Sequence, residues 1–356
     1  MKSRVAHPSW IEVDLGQFRK NIEVVRRYIG KALYCLPVKA NAYGHGLTEI
    51  GRAAEAAGVD YLGVAHLQEG IELRDAGVKI PILVFGAIHE DQIDDLIEHE
   101  LEFSISSKLK ADFVAKRCDG KCRVHLEVDT GMHRTGVRSS TAIELMRHLR
   151  DLKVFDVVGI YSHFATTGDA FAEKQMERFQ ALLKEPIFQE QKLIRHIANS
   201  SGIMHFPVLD MVRPSLITFG YGELGVSPCF ALKSKVSYFK VVEKGEGISY
   251  GHTYVTKKKT RVVTVPIGYG DGYRRALSNR GHVLIRGKRY PIAGTICMDQ
   301  FMVDVGDDDI FVGDEVVLIG KQGSEEILLT EIAELCDTIP YEILCQFNNR
   351  LPRVYI

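Results

Sequence analysis

Pro37-Val38-Lys39-Ala40-Asn41-Ala42-Tyr43-Gly44-His45-Gly46 decides how the rest of the chain is read. An apolar run over residues 33–38 delivers one lysine to its end, and small residues, a tyrosine and two glycines follow at once. A charged residue where a strand stops and a loop opens is the position from which α/β barrels present reactive groups. A lysine held against an apolar wall loses part of its preference for the charged form, which suits Schiff-base chemistry. From this segment alone, a lysine that merely caps a buried strand and points to water also fits.

Outward from that stretch, short apolar runs recur at residues 33–38, 61–65, 82–85, 103–105, 124–128, 157–161 and 193–198, with a weaker one at Met211-Val212. Amphipathic segments separate them: Leu47, Ile50, Ala53, Ala54 and Ala57 recur at helical spacing, as do Phe171, Met176, Phe179, Leu182 and Leu183. Eight strand-like runs alternating with helices predict an α/β fold of the closed (β/α)8 TIM-barrel type rather than an open doubly wound sheet. No G-x-G-x-x-G opens the first crossover, which argues against a dinucleotide fold. After about residue 225 the texture changes. Residues 236–242, 260–267, 282–286, 289–293, 301–305 and 314–319 read as short strands between Gly and Asp turns, with Gly287-Lys288 as a hairpin tip. Helical segments are expected over 331–335 and 341–347. The expected division is a barrel over 1–225 and a mostly β domain over 226–356. Trp10–Val13 reads as a lone strand able to pair with either.

Composition narrows the function. The chain has 356 residues and a formal net charge of −1, with Lys257-Lys258-Lys259 as its one basic run, so neither nucleic acid nor membrane is expected as a partner. No apolar segment approaches the roughly 20 residues of a membrane span, and the N-terminus carries no apolar signal-peptide core. Seven dispersed cysteines suit reduced thiols, hence a cytoplasmic location. Cys118 and Cys122 lack a second pair to complete a zinc site, so no metal is expected.

The strand ends hold a coherent set of groups: Lys39 and Tyr43, Arg134 within Asp129-Thr130-Gly131-Met132-His133-Arg134-Thr135-Gly136, His163, Asn199-Ser200-Ser201-Gly202, and Arg213. An amine, two guanidinium groups, an imidazole and a Ser/Gly loop suit a phosphorylated aldehyde together with a carboxylate. Each also has a structural reading. His163 suits a satisfied strand end, Arg134 a helix cap or an ion pair with Asp129, Asn199-Ser200 a helix N-cap, and Arg213 a structural role before Pro214. Their joint placement favours the site.

Residues 38–46 resemble the pyridoxal-phosphate lysine motif of the bacterial alanine racemases. The resemblance continues in order through Ser249-Tyr250-Gly251-His252-Thr253-Tyr254, residues 267–273 and Ile296-Cys297-Met298-Asp299-Gln300. It implies a barrel followed by a β domain, pyridoxal 5'-phosphate as cofactor, and a head-to-tail homodimer with shared active sites. It implies interconversion of L- and D-alanine by two bases acting on a pyridoxal-phosphate aldimine, supplying D-alanine for peptidoglycan. Lys39 matches the family's Schiff-base lysine, serving the D face of the amino-acid substrate, and Tyr250 the tyrosine that reaches the other subunit's pocket to serve the L face. Tyr43, Ser200, Ser215 and Leu216 match phosphate-binding positions. Arg213 matches the position facing the pyridine nitrogen, and His163 and Asn199 match the shell around the ring. Arg134 and Met298 match substrate-carboxylate positions, and Tyr269 matches the access channel. Positive charge on His163 and Arg213 is the expected means of favouring the Tyr250 phenolate.

The chain also departs from that pattern. Glu127 stands where many members carry a carbamylated lysine and is expected to orient Arg134 directly. His133 and Ser215 replace common glycines, and Thr295 an arginine. Asn349 falls where some members place a tyrosine, which opens room for serine as well as alanine. The competing readings are a serine or dual serine/alanine racemase, a pyridoxal-phosphate-binding protein without catalysis, and a fold-related amino-acid decarboxylase using Cys297 or Cys345.

Overall fold

The computed structural model describes residues 7–356, which form two compact units. One comprises Phe18–Ala42 and Leu47–Ser227; the other comprises the N-terminal residues up to Gln17, Tyr43–Gly46 and Pro228–Ile356.

The first unit is a barrel of eight parallel strands. Leu33–Pro37 pairs with Tyr61–Val64, then follow Ile82–Val84, Glu102–Ile105, Cys122–Asp129, Phe155–Tyr161 and Ile194–His196, while Met211–Val212 returns to the other edge of Leu33–Pro37. A bridge between Asn199 and Arg213 joins the last two strands and closes the ring. Both faces of the strands are covered, one by helices and one by the barrel interior, so apolar residues predominate along them, interrupted by buried polar groups such as Glu102 and His125. Helix Leu47–Ala56 buries Leu47, Ile50, Ala53 and Ala54, as its spacing predicts, each large apolar side chain contributing about 1.5–3 kcal/mol. Gly51 lets this helix lie close to helix Leu67–Asp75: a Cβ there would sit 2.4 Å from Leu73 Cδ2.

The second unit is β-rich. Its main sheet runs Tyr238–Val242, Thr260–Val265, Phe301–Gly306, Lys288–Ala293, His282–Ile285, Glu315–Gln322, Phe230–Lys235, Trp10–Val13 and Arg353–Tyr355. Trp10–Val13 therefore joins this unit, antiparallel to Phe230–Lys235 and parallel to Arg353–Tyr355. Those two strands were not anticipated. In Phe230–Lys235 the inward position after Phe230 and Leu232 is Ser234, whose hydroxyl meets Ser9 Oγ at 2.7 Å, so the apolar alternation breaks off. The hairpin tip is Arg286-Gly287, one residue earlier than expected: Ile285 pairs with Lys288, and the two tip residues take φ of 51° and 73°, as a two-residue turn of this hand requires. Tyr43–Gly46 belong here because no side chain fits at their glycines; a Cβ at Gly44 would stand 2.2 Å from Leu344 O, and one at Gly46 1.8 Å from Tyr355 Oη.

Candidate active site

Lys39 leaves the first barrel strand into a left-handed turn. Ala40, Asn41, Ala42 and Tyr43 have φ of 53°, 55°, 50° and 52°. Each such residue costs about 1–2 kcal/mol without a glycine's freedom, so the turn persists only because its surroundings fix it. Glu69, on helix Leu67–Asp75, accepts from Ala40 N–H at 2.6 Å and, through its other oxygen, from Ala65 N–H at 2.8 Å. Asn41 Oδ1 accepts from Leu47 N–H at 2.8 Å. The half-buried Lys39 is thus carried on a strained but pinned segment.

Arg213 is 4% exposed and spends its donors on fixed acceptors. Nη1 donates to His196 Nδ1; Nη2 donates to Ser162 O at 2.7 Å, His163 Nδ1 at 3.1 Å and Ile197 O at 3.2 Å. The guanidinium lies 5.1 Å over the Tyr161 ring. His163 in turn is fastened from behind: Gln175, buried on helix Ala170–Leu183, donates to His163 O at 2.9 Å and accepts from Ala165 N–H at 2.8 Å. Burial, with the charges of Arg213, Arg134 and Lys39, pushes the His163 pKa down to about 3. His163 is therefore a neutral acceptor, not the cation expected from sequence, and Arg213 alone of the two carries positive charge.

On the closing edge of the barrel, Asn199 Oδ1 caps the short helix Gly202–His205 by accepting from Gly202 N–H at 2.8 Å. Ser200 Oγ accepts from Ser215 N–H at 2.7 Å and lies 3.2 Å from Ser215 Oγ, and a tight turn runs on through Leu216. Two hydroxyls and the start of a turn form a small polar cradle. Glu127 is raised by burial, opposed by a hydrogen bond from Thr135 Oγ1 (2.6 Å) and by the charges of Arg134, Arg213 and Lys110. The expected direct Glu127–Arg134 contact is absent; Arg134 is exposed and acts on Glu127 through space. Asp129 pairs with His133 Nδ1 at 2.8 Å instead of with Arg134. His133 has φ of 55°, which explains why glycine is at home there, and its hydrogen bonds to Asp129 hold this non-glycine residue in place.

In the β unit, Tyr250 is 73% exposed between Ser249, Gly251 and His252, all at positive φ. Thr295 fixes that turn: its Oγ1 donates to Tyr250 O at 3.0 Å, and its carbonyl accepts from Ser249 Oγ. Tyr250, Cys297 and Met298 line one concavity of about 650 Å³. Tyr269 N–H donates to Cys297 O at 3.1 Å, which sets it beside Met298. Tyr43 is buried edge-on against Tyr341, with ring centroids 5.7 Å apart, and Asn349 is exposed after helix Pro340–Gln346. Sequence reasoning missed Glu69, Gln175, and the buried Glu102, His125 and His196. The signal for Glu102 and His125 was a polar residue at every second position inside apolar strands, as in Glu102-Phe103-Ser104 and His125-Leu126-Glu127; His196 gave none.

Family models of the alanine racemase N-terminal and C-terminal domains match residues 13–223 and 229–355. The chain is 38% identical to an alanine racemase of Halothermothrix orenii, covering 100% of this chain and 98% of the relative. It is 41% identical to that of Symbiobacterium thermophilum, covering 98% and 97%. Among solved structures it is similar to the alanine racemase of Streptomyces lavendulae, with a TM-score of 0.94 at 34% identity over 99% of this chain and 98% of that one. It is also similar to the Bacillus anthracis alanine racemase with bound L-Ala-P, with a TM-score of 0.92 at 34% identity over 99% and 96%. Both domains of one family match in order along the chain, relatives of that family match over almost all of it, and the chain is a member of the alanine racemase family.

Proposed function

We propose that this racemase interconverts L-alanine and D-alanine with pyridoxal 5'-phosphate held in the barrel, Lys39 and Tyr250 serving as its two bases. The observation that carries the reading is the charge of the barrel mouth. Lys39, Arg134 and Arg213 all bear on His163, which stays neutral, and Glu127 is the carboxylate facing them. That excess of positive charge, with the Ser200–Ser215 cradle, suits a phosphate dianion and a substrate carboxylate.

The residues present fit the cofactor. Ser200, Ser215, Leu216 and Tyr43 would hold its phosphate, Lys39 its aldehyde carbon, Arg213 its ring nitrogen, and His163 and Asn199 the surrounding shell. When bound, the cofactor withdraws electrons from the substrate Cα and makes its proton removable. Arg213 never gives up its proton in practice, so it would offer the ring nitrogen a hydrogen bond without protonating it. Arg134 and Met298 would orient the substrate carboxylate, and Tyr269 would narrow the entrance. Lys39 Nζ exchanges the Cα proton on the D face, and Tyr250 Oη exchanges it on the L face. Two bases on opposite faces are the minimum for inverting one carbon without moving it.

An exposed tyrosine on a rigid turn supports a homodimer in which Tyr250 serves the site of a second copy. The same reading puts the enzyme in the cytoplasm, supplying D-alanine for peptidoglycan. Incubation with pyridoxal phosphate and L-alanine in heavy water tests it. D-alanine carrying deuterium at Cα is the expected product; unchanged, undeuterated L-alanine would refute the reading.

A further inference from the structure

We propose that Glu102 and His125 are positioning residues that fix the tautomer of His196 and, through it, the orientation of the Arg213 guanidinium. The proposal rests on the reading of Arg213 as the group that meets the cofactor ring.

Inside the barrel, side chains from three strands and from Arg213, just beyond a fourth, form an unbroken hydrogen-bonded line. Arg213 Nη1 donates to His196 Nδ1, His196 Nε2 lies 2.9 Å from His125 Nδ1, and His125 Nε2 lies 3.0 Å from Glu102 Oε2. Arg123 Nη2 makes an ion-pair contact with the other Glu102 oxygen at 3.0 Å. Both histidines are fully buried and Glu102 is 3% exposed, so these bonds lie out of bulk solvent.

The line permits one proton arrangement. A guanidinium only donates, so His196 Nδ1 must accept, and the ring carries its proton on Nε2. His196 Nε2–H then donates to His125 Nδ1, which leaves the second proton on His125 Nε2, donating to a carboxylate that only accepts. Two neutral imidazoles alone could run in either direction; a donor-only start and an acceptor-only end select one.

The scaffold around the rings holds that line in register. A Cβ at Gly159 would stand 2.2 Å from His125 Nδ1, so only glycine leaves room for the ring. Tyr161 stacks on His196 at 4.8 Å and 13°. Its own hydroxyl donates to Ser104 Oγ (2.6 Å), because the single Ser104 proton goes to Val84 O at 3.1 Å. With Glu102 gone, the acceptor that keeps the proton on His125 Nε2 is lost and Arg213 alone still selects the direction, so a share of molecules carries the proton on His125 Nδ1. His196 must then accept at Nε2 and carry its own on Nδ1, where it confronts Arg213 Nη1, donor against donor. The guanidinium has to turn away.

The experiment compares holoenzyme labelled with nitrogen-15 histidine as wild type, Glu102→Gln and Glu102→Met. Glutamine keeps an acceptor oxygen for His125; methionine keeps the volume and removes the acceptor. His125→Phe breaks the line one link nearer to Arg213 and serves if Glu102→Met does not fold. The expected result is His196 protonated on Nε2 in wild type and Glu102→Gln, with an Nδ1-protonated signal appearing in Glu102→Met. In that variant kcat should fall by about tenfold or more with KM changed by less than about twofold, the usual scale for losing a group that orients another. An unchanged His196 tautomer in Glu102→Met overturns the proposal, as does a shifted tautomer with full kcat, or a Gln variant as impaired as the Met one. Wild-type protein with the expected tautomers but no action on alanine would instead refute the functional reading and leave the line of tautomers standing.

Discussion

Replacing His163 with leucine should flatten the acid side of the stability curve. The His163 pKa is held at about 3 by burial, Arg213, Arg134 and Lys39, against about 6.5 in an unfolded chain. Between those values the unfolded chain binds a proton that the folded chain refuses, so stability rises with pH. The contribution is complete above about pH 6.5 and is lost as pH falls toward 3, at roughly 1.4 kcal/mol per unit. Two units below the unfolded value, near pH 4.5, wild type should have lost about 2.5 kcal/mol through this one residue. Leucine cannot titrate, so the variant escapes that loss, although it starts lower by about 1–3 kcal/mol because Arg213 Nη2 forfeits an acceptor. Urea unfolding at fixed protein concentration from neutral pH to about pH 4.5 measures both quantities. The gap between the two proteins should close by about 2.5 kcal/mol over that range. Parallel curves would mean that His163 is an ordinary titrating histidine, and the neutral-acceptor role assigned to it would fall.

Gly159→Ala should destabilise the barrel by about 1–3 kcal/mol, seen as a lower Tm, because the new methyl overlaps His125 Nδ1; an unchanged Tm would show that the ring has slack. Thr295→Val removes the hydroxyl that donates to Tyr250 O, so kcat should fall while stability changes by only about 1 kcal/mol. Full activity in that variant would show that the turn holds itself. Asn349→Tyr should cut serine turnover more than alanine turnover, measured as kcat/KM for each, and equal effects would remove Asn349 from substrate choice.

The barrel was legible because its strands are buried on both faces and most announce themselves as predominantly apolar runs; even the two-residue strand Met211–Val212 stood where the weak eighth run was read. The β unit was less legible. Phe230–Lys235 hides an inward serine, and the hairpin tip turns on the signs of two φ angles that Gly287 constrains without fixing which neighbour shares the turn. Reactive positions at strand ends could be listed from sequence, but not their charge states. His163 looks like a cation in one dimension and becomes an acceptor only when burial and three positive charges converge on it. Likewise, Glu127 was expected to touch Arg134, which follows it by seven positions, yet the turn at residues 129–136 sends its carboxylate to Thr135.

The central claim is that Lys39 and Tyr250 act together at one carbon from different copies of the chain. Lys39→Ala and Tyr250→Phe proteins, each assayed alone for alanine racemisation, should be nearly inactive. Mixed under conditions that exchange subunits, they should regain activity, because a hybrid dimer holds one site with both bases intact. A mixture no more active than its components, with hybrid dimers demonstrated by native mass spectrometry, would contradict the shared site and the two-base account built on it.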